Sequence, residues 1–291
     1  MPTISVVVNT LNEERNLARC LNSVRGWADE IVVVDDGSTD RTLEIAKEYT
    51  DKIYQHRSAG YVEPARNFAL SLSKGEWIFL LDADEEIPQA LKDTLKNIDT
   101  INTTHVWIPR KNIIFGQWIE HAGWWPDYHV RFFKNGSVTW SSFIHAKPEA
   151  IGKETRLEPR EDLAIIHHNY ATVSEYVTRL DRYTTIQASE TLHNGGTFSW
   201  QDCLKQPTAE FLRRYFAWEG YKDGLHGLAL SCLQAFSMLV LSLKLWELEK
   251  FVKQDISLPE VAQNVAKSGK EFDHWLNQTS GKKNLLKRLF G

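Results

Sequence analysis

The chain has 291 residues, enough for one large domain or a domain with an appendage, and its apolar and charged fractions of 42% and 25% are those of a globular protein. A formal net charge of −4 argues against a general nucleic-acid binder, so no nucleic-acid partner is expected. Cys20, Cys203 and Cys232 are scattered without the spacing of a disulfide framework or a zinc site, which favours a reducing, cytoplasmic compartment.

The first third of the sequence alternates short apolar runs with helical patterns. Residues 1–8 run straight into the first strand pattern and lack the basic start and cleavage site of a signal peptide. The apolar runs are continuous, which is typical of parallel strands covered on both faces, and each spacer holds one helix. Strands are predicted at residues 4–8, 31–35, 53–56 and 77–81, and helices at 13–25, 40–49 and 63–73. This pattern indicates βαβ architecture.

From residue 104 to 151 the sequence turns to β-branched and aromatic residues. The Asn135-Gly136 pair predicts a hairpin between residues 128–134 and 137–143. A further apolar run covers residues 163–167, where strand alternation would send His167 and His168 to opposite faces, so a metal site shared by the two is not expected.

The last third is helical in pattern. Helices are predicted at residues 173–192, 209–218, 225–251 and 258–276, with a loop at 194–207. The apolar stretch 225–246 is interrupted by His226, Gln234 and Lys244 and falls short of a membrane span. We therefore expect two domains, a sheet domain over residues 1–170 and a helical region over 171–291.

Acidic residues follow the predicted strands at the edge where open parallel sheets bind ligands. Asp82 and Asp84 are two residues apart at a strand end, so both carboxylates can address one cation. Oxygen ligands suit Mg²⁺ or Mn²⁺, and such an ion stabilises the charge that builds on a diphosphate leaving group. Alone, an Asp-x-Asp pair is more often a cap or a solvated turn, and either Asp35 or Asp36 is as well placed to cap the next helix as to bind a ligand.

Four segments together resemble the family 2 glycosyltransferases of the GT-A fold, namely residues 6–13, 33–40, 65–67 and 80–84. The resemblance implies an α/β, Rossmann-like, mostly parallel sheet flanked by helices, with a helical C-terminal extension. It also implies inverting, metal-dependent transfer of a hexose from a UDP-sugar to an acceptor hydroxyl. Residues 124–133 and 220–227 resemble lipopolysaccharide-core β-glucosyltransferases, which implies a glycan or lipid-linked acceptor in cell-envelope biosynthesis.

The same resemblance implies roles for individual donor-site residues. Asp36 would bind the uracil, aided by Arg66, which could instead be a surface cation, and by the loop at the first strand end. Asp82 and Asp84 would hold ribose and metal, with His145 as a further metal ligand or a structural residue. The loop residues concerned are Thr10, Asn12 and Glu13.

On the acceptor side, Asp127 would be the general base, taking the proton of the attacking hydroxyl ahead of Arg131, which would also contact substrate. Related enzymes often read Val-His-Glu where this chain has Ile144-His145-Ala146, so Glu149 is the alternative base. Trp124 and Trp125 are expected either to stack on sugar rings or to pack in the core.

The C-terminal residues 282–290 mix four cations with four large apolar side chains, so they would either lie on an anionic leaflet or form a solvated terminus. We therefore expect a cytoplasmic protein in peripheral contact with the inner face of the cytoplasmic membrane. The alternatives are a nucleotide-sugar sensor or scaffold without turnover, and a transferase acting on a lipid-phosphate or protein acceptor. A nucleotidyltransferase or a dinucleotide dehydrogenase is disfavoured because residues 9–16 contain no glycine for a phosphate-binding turn.

Overall fold

The computed structural model describes residues 2–56, 63–140 and 148–279. The chain divides into two compact units. The first comprises Met1–Ile113 and Pro126–Asn169, and the second comprises Ile114–Trp125 and Tyr170–Gly291. The second unit therefore takes a short segment from within the sheet region as well as the helical part of the chain.

The strands are β1 (Ile4–Thr10), β2 (Glu30–Asp35), β3 (Ile53–Gln55), β4 (Trp77–Asp82), β5 (Glu85–Glu86), β6 (His105–Ile114), β7 (Gln117–Trp118), β8 (Asp127–Lys134), β9 (Val138–Thr139), β10 (Glu149–Ala150), β11 (Glu154–Arg156) and β12 (Ile165–Tyr170). The helices are α1 (Leu17–Val24), α2 (Thr42–Lys47), α3 (Glu63–Ser71), α4 (Gln89–Lys96), α5 (Val173–His193), α6 (Asp202–Leu212), α7 (Gly224–Leu248) and α8 (Leu258–Thr279). A π-helical turn, Arg213–Ala217, follows α6.

The main sheet has the strand order β3-β2-β1-β4-β8-β6-β12-β5. The strands β3, β2, β1 and β4 are parallel, whereas β8 runs antiparallel to both β4 and β6, and β12 runs antiparallel to β5. All four strands predicted in the first third are present, and the predicted α/β class is confirmed.

Alternate residues of the parallel strands pack into two apolar cores, one on each face of the sheet. Val6 and Val8 pack with α1, whereas Val7 packs with Ala69 and Leu70 of α3 on the other face. Each fully buried aliphatic side chain contributes about 1.5–3 kcal/mol. A one-residue slip in register would exchange the two faces, so burial on both sides fixes which residues reach the carboxyl ends of the strands.

The hairpin predicted around Asn135-Gly136 is wrong as a strand pair. The turn itself forms, with the Ser137 amide donating to the Lys134 carbonyl at 3.0 Å. However, β8 already has β4 on one side and β6 on the other, so it has no free edge for the residues after the turn. Among the described residues, β9 instead pairs with β10 in a separate two-stranded sheet. The remainder of the predicted second strand, residues 141–143, lies outside the described residues.

The loop predicted at residues 194–207 is partly helical, because α6 begins at Asp202 and contains Pro207. Cys203 and Leu204 pack against a small apolar cluster that includes Trp200 and Leu245. This packing of the first turns of α6 outweighs the loss of one backbone donor at the proline.

In the second unit, α7 packs against α5 and α6. Helix α7 lies within Gly220–Leu248, which is the one helical stretch among the described residues that is long and apolar enough, by length and composition, to cross a membrane. Only 22% of the most apolar part of this stretch is buried. The predicted membrane-active residues 282–290 lie outside the described residues.

Candidate active site

The carboxyl ends of the central parallel strands bring polar side chains to one edge of the sheet. The register places Thr10 of β1 beside Asp35 of β2, and Asn9 of β1 beside Asp82 of β4. Thr10 Oγ1 and both amide atoms of Asn9 are buried and have no hydrogen-bond partner among the described residues. Because a buried polar group without a partner costs free energy, these atoms mark a place suited to a polar ligand.

The two aspartates that end β2 have different environments. The Asp35 carboxylate accepts hydrogen bonds from the Gly37 and Ser38 amides at 3.1–3.2 Å and so shapes the loop. The Asp36 carboxylate is nearly buried and lies 3.1 Å from His56 Nδ1. Burial raises the pKa of the Asp36 carboxyl, although the neighbouring His56 opposes the rise. Asp36 is therefore a buried acceptor at the sheet edge, whereas Asp35 stabilises the turn.

Asn12 and Glu13, both predicted to contact substrate, hold the loops after β1 and β2 together. Asn12 has a φ of 55°, and its side-chain oxygen accepts the Thr39 amide at 2.8 Å. The Glu13 amide donates to Thr42 Oγ1 at 2.8 Å, and its carboxylate accepts from Asn16 at 2.8 Å. These contacts give both residues a structural task at the rim of the site.

The first aspartate of the Asp82-x-Asp84 pair is surrounded by arginines. Arg66 of α3 donates to Asp82 Oδ1 at 3.2 Å, and Arg131 of β8 donates to Asp82 Oδ2. Burial alone would raise the pKa of this carboxyl, but Arg131 and Arg66 outweigh burial and hold the pKa well below its usual value. Asp82 thus stays ionised, and its charge is already balanced by two guanidinium groups.

A second buried carboxylate, Glu85, extends this network. Its side chain is fully buried, and Oε1 accepts from Arg131 at 2.8 Å and from Arg110 at 3.2 Å. Oε2 accepts the Asp82 amide at 2.9 Å. Glu85 therefore locks the turn after β4 to two arginines that reach it from β6 and β8.

Asp127, the predicted base, lies on the same network. Arg110 is its register partner on β6 and donates twice to Oδ2, at 2.7 and 2.8 Å. Asn112 also donates to Oδ2 at 3.2 Å, whereas His129 donates to Oδ1 at 2.9 Å. Burial alone would raise the pKa of the Asp127 carboxyl, but Arg110 and His129 lower it far below its usual value. Burial and the adjacent Arg110 also lower the pKa of His129 to about 4, so His129 is neutral at physiological pH.

Asp84 faces a histidine that the sequence prediction left out. His167 Nδ1 donates to Asn112 Oδ1 at 2.7 Å, and Nε2 of the same ring lies 3.3 Å from Asp84 Oδ2. A ring nitrogen and a carboxylate oxygen at this separation can share a cation, and a hydrogen bond to the other ring nitrogen orients the imidazole as it does in known metal sites. The pair therefore fits Mg²⁺ or Mn²⁺, with the remaining coordination positions left for water and substrate oxygens.

The other predicted metal ligands contribute less. Asp82 is occupied by arginines, and His145 lies outside the described residues. No group of three or more metal-ligating side chains occurs in the described parts of the chain. The alternative base Glu149 is exposed on β10, where it pairs with Thr139.

The predicted sugar-stacking tryptophans belong to the second unit. Trp124 packs against an apolar cluster that includes Ile119 and Tyr176, and the Arg214 guanidinium lies 5.7 Å from its ring. Trp125 is partly exposed and meets Trp118 edge-on, with ring centroids 5.3 Å apart. Trp124 thus has a packing role in this cluster, whereas Trp125 lies outside it.

Asp223 fixes the loop that carries these rings. Its carboxylate accepts from the His121 amide at 2.8 Å and lies 2.9 Å from His121 Nδ1. Gly123 has a φ of 80°, and a Cβ there would lie 2.5 Å from the Trp218 ring, so only glycine fits. The 220–227 segment singled out in the sequence therefore holds this loop in place through the contacts of Asp223 with His121.

Comparison with known proteins agrees with the motifs. The model of the family described as Glycosyl transferase family 2 matches residues 5–152. An uncharacterized glycosyltransferase of Rickettsia typhi is 29% identical over 262 residues, covering 85% of this chain and 88% of that protein. The lipopolysaccharide core biosynthesis glycosyltransferase LpsC of Rhizobium meliloti is 27% identical over 233 residues, covering 77% and 84%. The crystal structure of S. aureus TarS 1-349 in complex with UDP aligns with a TM-score of 0.44 at 18% identity, covering 88% of this chain and 94% of that chain.

Proposed function

Since the chain belongs to glycosyl transferase family 2 and has its GT-A fold, we propose that it transfers a hexose from a UDP-sugar to an acceptor hydroxyl with inversion at the anomeric carbon. The observation that carries the proposal is the placement of Asp36 after β2 and of Asp82 and Asp84 at the end of β4, along one sheet edge where nucleotides bind, with Arg66 hydrogen-bonded to Asp82.

The donor's nucleotide would bind at the ends of β1 and β2. Asp36 offers a buried carboxylate to a uracil N–H, and Thr10 Oγ1 is a buried hydroxyl that needs a partner. Arg66 and Arg131 supply cationic groups beside Asp82, where a ribose or diphosphate would replace part of the ion-pair network. The two arginines would thereby supply the cationic partners that the diphosphate of a sugar nucleotide requires.

Asp84 and His167 would hold the divalent metal, Mg²⁺ or Mn²⁺, with Asn112 fixing the imidazole. A bound ion at this position stabilises the negative charge that develops on the leaving diphosphate. The protein therefore needs no acidic side chain to protonate the leaving group.

Asp127 is our proposed general base. Among the described residues its Oδ1 atom has one donor, His129, whereas Oδ2 is occupied by Arg110 and Asn112, so the acceptor hydroxyl would approach Oδ1. A depressed pKa keeps the carboxylate ionised but makes it a weaker base, and the proton must move as the bond to the sugar forms. Attack from the side opposite the diphosphate inverts the anomeric carbon in one step.

We propose a glycan or lipid-linked glycan of the cell envelope as the acceptor, made at the cytoplasmic face of the membrane. The relative named for lipopolysaccharide core biosynthesis supports this acceptor class. The principal test is incubation with UDP-hexoses and Mn²⁺ without acceptor, followed by assay of released UDP. Slow metal-dependent hydrolysis is expected, whereas tight donor binding without UDP release would identify a sensor and reject the transferase.

A further inference from the structure

Asn112 lies between the two side chains to which the proposed function gives the roles of base and metal ligand. It stands on β6, which has β8 on one side and β12 on the other, and it is fully buried. Its amide nitrogen donates to Asp127 Oδ2 of β8 at 3.2 Å, and its amide oxygen accepts from His167 Nδ1 of β12 at 2.7 Å. Asn169 Nδ2 donates to the same oxygen at 3.4 Å. One amide therefore joins three neighbouring strands.

The chemistry of its partners fixes the direction in which this amide points. Burial opposes ionisation of Asp127, but the neighbouring charges hold the pKa of its carboxyl well below the usual value. An ionised carboxylate only accepts hydrogen bonds, so the amide nitrogen of Asn112, and not its oxygen, must face Asp127. The oxygen then faces His167, whose Nδ1 carries the shared proton. Nε2, which lies 3.3 Å from Asp84 Oδ2, is left as the ring nitrogen that can bind a cation.

On the other side the amide acts on Asp127 together with Arg110. Arg110 and Asn112 are two residues apart on β6, so both side chains lie on the same face of the sheet. Arg110 donates twice to Asp127 Oδ2, and Asn112 adds a third hydrogen bond to that oxygen. These bonds hold the carboxylate in one rotation about its Cβ–Cγ bond and so set the direction of Oδ1. Asn112 also holds His167, so it links the orientation of the carboxylate to that of the imidazole.

Such a link is useful to a displacement in which the base and the metal act on opposite sides of one carbon. A misplacement of about 1 Å between reacting groups can lower a rate about 10²-fold. Asn112, Asp127 and His167 all belong to the first unit. A rotation of the buried amide would leave buried polar partners unpaired on two strands at once, which costs free energy and keeps the amide in place.

We propose that Asn112 is a positioning residue that couples the metal ligand to the base, with its oxygen orienting His167 and its nitrogen orienting Asp127. The inference rests on the proposed function for the roles of those two residues. It adds that a single amide sets both, so the two halves of the bridge can be cut separately.

The test compares two variants of Asn112 that have nearly the size of asparagine. Asn112→Asp keeps an oxygen for His167 but replaces the donor to Asp127 with a second acceptor. Asn112→Leu removes both contacts. Mn²⁺ affinity in the presence of UDP, followed by the Mn²⁺ electron paramagnetic resonance signal, reports the His167 half. The rate of UDP release from UDP-glucose or UDP-galactose reports the Asp127 half.

The two variants are expected to differ in metal binding and to agree in turnover. Asn112→Leu should weaken Mn²⁺ affinity about tenfold or more, whereas Asn112→Asp should retain it, because a carboxylate is also a common outer contact of a metal-bound histidine. Both should lower kcat by about 10²-fold, and Asn112→Asp should leave the donor KM nearly unchanged. A residue that only stabilised the fold would not separate the two measurements.

Thr103→Val is the matched control. It removes a buried hydroxyl and its 2.8 Å contact with Thr155, two residues before β6 begins. It should lower the melting temperature while leaving Mn²⁺ affinity and kcat unchanged. Circular dichroism melting establishes that each variant is folded. If Asn112→Leu does not fold, Asn112→Asp decides alone, since it must lose turnover and keep Mn²⁺ affinity.

Equal losses of Mn²⁺ affinity in the two variants would overturn the proposal, and so would near-normal turnover by Asn112→Asp. Either result in a chain that turns over a UDP-hexose would leave the transferase function standing. If the unaltered chain turns over neither donor, the transferase function fails, while the Mn²⁺ comparison still decides whether the amide orients His167.

Discussion

His167 Nε2 and Asp84 Oδ2 face each other at 3.3 Å while Asn112 holds the other ring nitrogen of His167. If this pair binds the metal, His167→Ala will weaken Mn²⁺ affinity in the presence of UDP by at least about tenfold. Isothermal titration with Mn²⁺, and the Mn²⁺ electron paramagnetic resonance signal, measure this affinity independently of turnover.

His168→Ala is the matched control for that experiment. His168 neighbours His167 on β12 but points away from it, and its Nε2 lies 2.9 Å from Glu86. Its removal should leave Mn²⁺ affinity unchanged. Equal losses in the two variants would mean that His167 acts through the strand and not as a ligand.

The roles of Asp127 and His129 can be separated by an isosteric change of Asp127 and a change of His129 that keeps a hydrogen-bond donor. Asp127→Asn should retain UDP-sugar binding and lose transfer by about 10²- to 10⁴-fold, because the amide cannot accept the acceptor's proton. His129→Gln keeps a donor near Oδ1 and should stay within about tenfold of the unaltered enzyme. Initial rates of UDP release with acceptor present provide the measurement. Near-normal transfer by Asp127→Asn would remove Asp127 from the base role, and a larger loss in His129→Gln would assign that role to the histidine.

The sequence predicts the parallel half of the sheet because each of its strands is a continuous apolar run with a helix after it. The antiparallel half depends on pairings between distant segments, such as Glu86 with Ile166, and hydrophobic periodicity does not encode which strands meet. The Asn135-Gly136 turn forms as expected, yet its strands do not pair, because β8 has neighbours on both sides.

The same limit applies to the candidate site. Asp36, Asp82 and Asp84 were predictable because each follows an apolar run. Arg110 was not, since it meets Asp127 only through the register of β6 with β8. Strand alternation predicts that one of His167 and His168 points inward without saying which, and the partner of His167, Asp84, lies 83 positions earlier in the chain.

Substitution of Glu85 measures how much the buried ion network contributes to the free energy of unfolding of the first unit. Glu85→Leu leaves Arg110 and Arg131 with one fewer counter-charge in a fully buried position, and we expect a loss of about 3 kcal/mol in the free energy of unfolding. Urea denaturation followed by circular dichroism measures it. Glu86→Leu is the control, because the Glu86 carboxylate is partly exposed and pairs with His168, so a loss of less than about 1 kcal/mol is expected. Equal losses would show that the network adds nothing to stability.

Substitution of Trp124 and of Trp125 should distinguish a role in packing from a role in acceptor binding. Trp124→Ala removes a ring from the cluster with Ile119 and Tyr176, and we expect about 3 kcal/mol lower stability. Trp125→Ala removes a partly exposed ring and should raise the acceptor KM while leaving the melting temperature nearly unchanged. Steady-state kinetics and thermal melts of both variants provide the comparison. An unchanged acceptor KM in Trp125→Ala would end its assignment to substrate.

Asp36 should give the clearest pH dependence, because burial raises the pKa of its carboxyl in the folded chain. The folded protein holds this proton to higher pH than the unfolded chain does, so the stability the group provides is present below its ordinary pKa and is lost as the pH rises. Asp36→Asn should therefore raise the melting temperature at pH 7, with the difference shrinking below about pH 4. The amide oxygen can still accept from His56, so that contact survives the change.

UDP binding should weaken in the same variant, because an uncharged amide accepts a uracil N–H less strongly than a buried carboxylate. Thermal melts across pH with and without UDP measure both effects. A variant less stable at pH 7 that still binds UDP normally would show that Asp36 serves the loop and not the donor.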